Sequence, residues 1–341
     1  MSDGQGGRED NVVKLPVHDP AHDEDVLDDE RLEALRLALE DLRREVRARL
    51  PDPKAPRRED EGIDLFALFD ELRERVSTLG MSERSIETDE FGLDRQAMSR
   101  AAPLLDFLLE RYWRVDVVGT KNLPTRSPCL FVANRSGLLP YDGAMLSHVV
   151  QRLLPEAGRP RFMVADWLIT LPFVQPFLAR YGGVRACREN ADRLLRTGRS
   201  VVAFPEGVKG AAKSFAERYR LKRFGRGGVV RAAIENGVPL VPVGIVGAEE
   251  AHPVLFKSYL PARLLGLPFI PVTPTFPLLG PLGFLPLPTK WVVVFGEPVE
   301  LPLPEDADDE ELEISQCTAE LRERIQALVE VGLDRRSSIW G

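Results

Sequence analysis

Two strand-like runs end in side chains able to do chemistry. In residues 129–142, C-L-F-V-A-N-R-S-G-L-L-P-Y-D, the apolar Leu130, Phe131, Val132 and Ala133 lead directly into Asn134, Arg135, Ser136 and Gly137, with Asp142 a little further on. Residues 201–210, V-V-A-F-P-E-G-V-K-G, repeat the arrangement and deliver Glu206, Gly207 and Lys209. Buried strands hand polar groups to the loops at their ends, and in open α/β sheets that is where ligands bind. A guanidinium at Arg135 could pair with Asp142, grip a phosphate or carboxylate through two parallel hydrogen bonds, or stabilise a developing oxyanion. It cannot abstract a proton, because arginine stays protonated in proteins.

No other side chain is placed to act as a base at these strand ends. His18 and His22 fall in a polar tail, and His252 follows the last apolar strand. His148 lies six residues beyond Asp142, on a helical face turned away from that carboxylate. Ser136 precedes a glycine at a strand end, yet residue 134 is Asn, so the G-x-S-x-G elbow of serine hydrolases is not formed. The cysteines Cys129, Cys187 and Cys317 are far apart and match no metal-ligand spacing. Reduced, inert thiols and no metal site are expected.

The net charge of −8 conceals a division. Residues 1–62 carry 18 acidic and 11 basic side chains, and residues 305–313 carry seven acids and no base. Residues 111–232, which hold both strand ends, carry 22 basic and 8 acidic side chains. A basic body of this kind suits an anionic ligand or an anionic membrane surface. No nucleic-acid module is recognisable and no aromatic residues interleave with the basic ones as stacking pairs, so nucleic-acid binding is not expected.

The elements that must position these residues follow from periodicity. Residues 1–27 are polar and acidic and are expected to be disordered. Leu32, Leu35, Leu39, Leu42 and Val46 mark one stripe of an amphipathic helix over residues 28–50, suited to docking on a partner or to self-association. A proline-bearing linker over 51–62 separates it from a second apolar face over 63–76, completing a helical extension through residue 93. From 94 to 331 the pattern predicts one α/β domain with a mixed, mostly parallel central sheet flanked by helices, and then a tail over 332–341. Strands are predicted near 114–118, 129–133, 161–165, 201–204, 238–246 and 291–295. A helix is predicted over 94–113 with a kink or restart at Pro103, another over 142–153, and a terminal one over 308–331. Gly227 and Gly228 should open a helix that Asn236 and Gly237 close. Residues 254–288, rich in Pro, Leu and Phe with few charges, form either a flap over the core or an apolar loop at a lipid pocket or membrane interface. No run reaches the roughly 18 apolar residues of a membrane-spanning helix, and no signal core opens the chain.

The two strand ends, with Gly182-Gly183-Val184, Arg185, Arg188 and Asn190, and with residues 238–243 (V-P-L-V-P-V), resemble the glycerophospholipid (PlsC-type) acyltransferase superfamily. The resemblance spans roughly residues 115–299. It places Arg135 where the family carries its catalytic histidine, puts six residues between Arg135 and Asp142 where four are usual, and replaces a usual threonine by Val208. It implies catalytic positions at Asp142, Arg135 and Glu206, and substrate contacts at Asn134, Arg185, Arg188, Gly207 and Lys209. The implied reaction moves an acyl group from acyl-CoA or acyl carrier protein, as co-substrate without a further cofactor, to a hydroxyl of a glycerolipid such as a lysophospholipid. The alternative is a catalytically silent member that binds acyl-CoA, lysolipid or membrane as a scaffold or sensor. Either implies a cytoplasmic protein, peripheral on the inner face of a membrane.

Overall fold

Strand β2 (Leu130–Ala133) is apolar at all four positions and buried at all four, as a strand covered on both faces requires. The structure, a computed structural model, describes residues 67–68, 70–72, 88–125, 128–137, 139–169, 174–260, 262, 267–299, 301 and 307–341. The expected tail, first amphipathic helix and linker lie outside the described residues, all of which belong to one unit.

The chain enters through α1 (Arg95–Phe107), which starts where the Asp94 carboxylate accepts a hydrogen bond from the Ala97 amide at 2.9 Å. It runs through Pro103 without the expected restart and loosens into a π-helical turn, Leu108–Tyr112. Next come β1 (Asp116–Val118), β2, α2 (Tyr141–Leu153), β3 (Arg161–Val164) and two short helices, α3 (Asp166–Ile169) and α4 (Val174–Arg180). Then follow β4 (Gly183–Arg185), α5 (Arg188–Arg196), β5 (Val201–Ala203), α6 (Gly207–Ala211), α7 (Gly228–Asn236) and β6 (Leu240–Val246). The chain continues through α8 (Ala248–Ala251), the hairpin strands β7 (Phe256–Ser258) and β8 (Ile270–Val272), β9 (Val292–Phe295) and α9 (Ala307–Arg335).

Seven strands form one sheet in the order β1-β9-β6-β2-β5-β3-β4. Every pairing is parallel except β6 with β9, so β1 and β9 run against the other five. The mixed, mostly parallel sheet flanked by helices is therefore the fold. Alternation along each strand divides the core in two. Phe131, Ala133, Val243 and Phe295 face α1 and α2, whereas Leu130, Val132, Leu240 and Val294 face α5, α7 and α9.

Helix α9 closes the second face with Ile314, Cys317, Leu321, Ile325 and Val329, buried at steps of three and four. Each fully buried aliphatic side chain contributes about 1.5–3 kcal/mol of transfer energy. The helix lies so close to β6 that a Cβ on Gly244 would stand 2.7 Å from the carbonyl carbon of Leu328. It also runs beyond the expected end at residue 331 to Arg335, because the following turn is anchored. There Arg336 pairs with buried Glu250, and Lys290 donates its amide to Ile339. Residues 88–93, expected in the helical extension, form a turn closed by a Thr88–Asp94 bridge. The proline-rich stretch contains the small β7–β8 hairpin, a pairing that scattered prolines hid from period-two reading.

Candidate functional site

Because β2, β5, β6, β3 and β4 are parallel, their carboxyl ends share one edge of the sheet, and that edge gathers the chemistry. Asn134 continues the β2 ladder with its side chain, donating Nδ2 to the Ile245 carbonyl at 2.9 Å and accepting from the Ile245 amide at 2.7 Å. It clasps β2 to β6 and is completely buried.

Arg135 follows, and only 6% of it is exposed. Its Nη1 donates to Asp142 Oδ1 at 2.7 Å, and its guanidinium carbon lies 5.0 Å from the centre of the Phe204 ring. Asp142, 1% exposed at the start of α2, accepts three more hydrogen bonds: the Gly143 amide on Oδ1 at 2.8 Å, and the Ser136 amide and hydroxyl on Oδ2 at 3.0 and 2.9 Å. A carboxylate has about four acceptor sites, so all of them are filled.

The Glu206 carboxylate braces the same loop from the β5 end. Its Oε1 accepts the Arg135 amide at 2.8 Å, its Oε2 accepts the Lys222 amide at 2.7 Å, and the Lys213 ammonium lies 3.4 Å away. Lys213 also donates to Glu249 Oε1 at 2.7 Å, while Glu249 Oε2 accepts the Tyr219 amide at 3.0 Å. All three charged side chains are buried. Burial pushes the Glu249 carboxyl above the usual carboxylate range and nearby Glu206 adds to this, while Lys213 and the Tyr219 amide oppose it. Two glycines make the arrangement possible. Gly207 has φ +57°, which disfavours any side chain, and a Cβ on Gly210 would stand 2.5 Å from Glu206 Cβ and 2.8 Å from Arg135 Cβ.

Beside Arg135 opens a cavity of about 350 Å³ whose wall is mostly apolar, including Leu130, Met163, Trp167, Ala203, Phe204 and Ala232. Arg135, Arg188 and Arg226 are the cations on that wall. Its size falls in the range of small-ligand pockets.

A family profile described as Acyltransferase matches residues 114–246, from just before β1 to the end of β6. An uncharacterized protein of Mycobacterium tuberculosis is 43% identical over 257 residues, covering 74% of this chain and 72% of that protein. One of Mycobacterium leprae is 44% identical over 259 residues, covering 74% and 70% respectively. The chain belongs to the acyltransferase family. The crystal structure of the 1-acyl-sn-glycerophosphate (LPA) acyltransferase PlsC from Thermotoga maritima is similar with a TM-score of 0.46 at 19% identity, covering 80% of this chain and 96% of that one.

In this acyltransferase-family chain, Asn134, Arg135, Asp142 and Glu206 come together in one buried cluster. Gly207 lines the cavity and Lys209 stands exposed on α6 just outside it. The two arginines that the resemblance gives as substrate contacts lie outside this cluster. Arg185, at the end of edge strand β4, is more than half exposed and forms a two-pronged pair with Asp166 at 2.9 and 3.2 Å. Arg188 reaches the cavity wall but pairs with Glu235 and lies 3.7 Å from Asp192. His148 turns to Asp106 at 2.8 Å, away from Asp142. His252 stacks on the Tyr141 ring at 5.6 Å, and burial lowers its pKa to about 4.

Sequence reasoning missed Lys213, Glu249 and the Lys222 amide. Glu249 could have been found by the rule that found Glu206, since β6 also leads within a few residues to acids, Glu249 and Glu250 of α8. Lys213 sits at no strand end, and nothing in its neighbours marks it as buried.

Proposed function

We propose that this acyltransferase-family protein holds a long-chain acyl thioester, of coenzyme A or an acyl carrier protein, or a lysophospholipid in the apolar cavity. Arg135, at the position where the resemblance puts a histidine, acts there as a cationic anchor and not as a base. The observation that carries this reading is the saturation of Asp142. With four donors on its carboxylate and Arg135 between it and the cavity, it has no acceptor site left for a hydroxyl proton. A fixed guanidinium beside an apolar pocket can bind a phosphate or carboxylate, or the oxygen of a thioester carbonyl. The function supported best is thus binding of the acyl ligand without histidine-type transfer, as a scaffold or sensor.

A second reading, transfer to a glycerolipid hydroxyl, is favoured by the rigid placement of Arg135. Its backbone is held by Glu206, so its charge is preorganised toward a developing oxyanion. In that reaction the acceptor oxygen bonds to the acyl carbon, the carbon–sulfur bond breaks, and the hydroxyl proton ends on the departing thiolate. Without a tuned base the rate would fall by the ~10²–10⁴ that general base catalysis usually supplies.

The deciding measurement is thiol release from palmitoyl-CoA, with and without lysophosphatidate, by the native protein and by Arg135→His. Palmitoyl-CoA binding with release only in Arg135→His supports the binding reading. Acceptor-dependent release by the native protein supports transfer. Absence of binding by both overturns the acyl assignment.

Membrane attachment belongs to the same proposal. Among the described residues no helix is long and apolar enough to cross a bilayer, whereas Phe256, Tyr259, Leu260, Leu278 and Leu279 are exposed on the hairpin insertion. These side chains support docking on the inner face of a membrane. Phe256→Glu with Leu260→Glu should abolish co-flotation with anionic vesicles, and unchanged flotation would remove that role.

A further inference from the structure

The apolar cavity beside Arg135 carries one reactive group that neither binding nor transfer to a hydroxyl uses. Cys187 stands on its wall, half-buried, at the turn between β4 and α5. Cys129 and Cys317 are buried in the core, and all three cysteines are free thiols. Cys187 is therefore the thiol that a ligand in this cavity can touch.

We infer that Cys187 accepts the acyl group of a long-chain acyl thioester held in the cavity, so that the protein acylates itself on this side chain. The inference rests on the acyl reading of the cavity for the chain, and on separate observations for the transfer. In the step, the Cys187 sulfur bonds to the acyl carbon and the bond from that carbon to the sulfur of the carrier breaks. The thiol proton ends on the departing thiolate. One thioester is exchanged for another, so neither an oxidant nor an outside energy source is needed.

The first observation is a buried donor facing the same space. Arg135 is more than nine-tenths buried and lines the cavity, and it gives Nη1 to Asp142. Its Nε and Nη2 have no hydrogen-bond partner among the described residues. Buried donors of this kind call for an acceptor. A thioester carbonyl oxygen meets that need, and it gains charge as sulfur attacks, which a fixed guanidinium stabilises.

The second is the rigidity of the turn that carries the thiol. The Ala186 amide donates to the Val164 carbonyl at 2.8 Å, and the Arg185 carbonyl accepts from the Cys187 amide at 2.9 Å and from the Asn190 side chain at 3.1 Å. On either side, Arg185 and Arg188 are tied to Asp166 and Glu235. A nucleophile held still beside a bound acyl chain reacts as though at high local concentration.

The surroundings of the thiol set its pH dependence. Burial raises its pKa and the Glu189 carboxylate adds to that, while the Asn190 amide and Arg185 oppose them. The charged residues on the cavity wall are the cations Arg135, Arg188 and Arg226. Since the thiolate is the nucleophile, the thiol is slow at neutral pH and quickens as pH rises. A slow, lasting acylation suits a sensor, because the chain stays in the cavity after the thioester pool has fallen.

The test is intact-protein mass spectrometry after incubation with palmitoyl-CoA below its micelle concentration, with binding measured in parallel by titration calorimetry at mildly acid pH, where exchange is slow. The native protein should gain one palmitoyl group that neutral hydroxylamine removes, and peptide mapping should place it on Cys187. Cys187→Ser should lose this adduct and Cys317→Ser should keep it. Over roughly pH 6–8 the labelling rate should rise about tenfold per unit, following the thiolate fraction. Once acylated, the native protein should no longer bind palmitoyl-CoA. If palmitoyl-CoA binds but leaves no adduct, self-acylation is refuted while the acyl reading stands. Labelling of all three cysteines at the rate of the urea-unfolded chain refutes it equally. If the native protein neither binds palmitoyl-CoA nor gains an adduct, the acyl reading of the cavity has failed and the transfer with it.

Discussion

The same residue type does opposite work at the ends of two strands of one sheet, β2 near its middle and β4 at its edge. At the end of β2, Arg135 is nearly inaccessible, shares Asp142 with three other donors and has its own amide held by Glu206. At the end of β4, Arg185 stands more than half exposed with one equally exposed partner, Asp166. Water screens the second pair, and its net contribution is small. Little water reaches the first, so each charge there depends on its partners, and removing one leaves another desolvated without compensation. The family resemblance made both arginines look like site residues. Burial separates them into a rigid group at a cavity wall and an adaptable surface charge.

The strongest way to break this contrast is at Lys213, which stands between Glu206 and Glu249. Lys213→Met should cost about 3–5 kcal/mol in denaturant unfolding, since two buried carboxylates lose their shared cation. Adding Glu249→Gln should recover part of that loss, which a double-mutant cycle will measure. If Lys213→Met is as stable as the native protein, the buried network is not what holds the loop.

Gly210→Ala tests the same region through sterics alone. The new methyl group would collide with Glu206 Cβ and Arg135 Cβ, at an expected cost of about 1–3 kcal/mol. The unfolding midpoint should move at unchanged slope, and palmitoyl-CoA affinity should fall with it.

A pH series sharpens the contrast next. Half-buried His252, beside Tyr141 of α2, has its folded pKa depressed by desolvation to about 4 from an ordinary value near 6.5. Below pH 6.5 the unfolded chain therefore takes up a proton that the folded chain refuses, and stability falls as pH drops toward 4. The loss by pH 5 should be on the order of 2 kcal/mol. His148 is also depressed, mainly by burial, and acts in the same direction. His252→Phe should flatten the profile over that window, and an unchanged slope would place the proton uptake elsewhere.

The smallest effect belongs to the exposed pair. Arg185→Ala should change stability by less than about 1 kcal/mol. A loss as large as that for Lys213→Met would erase the distinction drawn here.

Much of this was legible in the chain because the responsible forces are local. Unbroken apolar runs such as Leu130–Ala133 mark strands covered on both faces, and the glycines at 227 and 237 mark the limits of α7 through backbone freedom. Asn134, Arg135 and Glu206 were visible because each lies just beyond a strand end, and Asp142 because the family resemblance marks its position. The type of Arg135 alone excluded a proton acceptor.

The tertiary structure decided what contacts between distant segments decide. Lys213 is seven residues from Glu206 and 36 from Glu249, and only the meeting of the β5 and β6 ends makes it their shared cation. The role of Asn134 as a clasp depends on Ile245, 111 residues away. The sequence by itself determined which residue types stand at the strand ends, through backbone preference and apolar pattern. Their burial, and hence whether a charge is an anchor or an ornament of the surface, was decided by folding, because desolvation depends on everything that packs around a group and not on its neighbours in the chain.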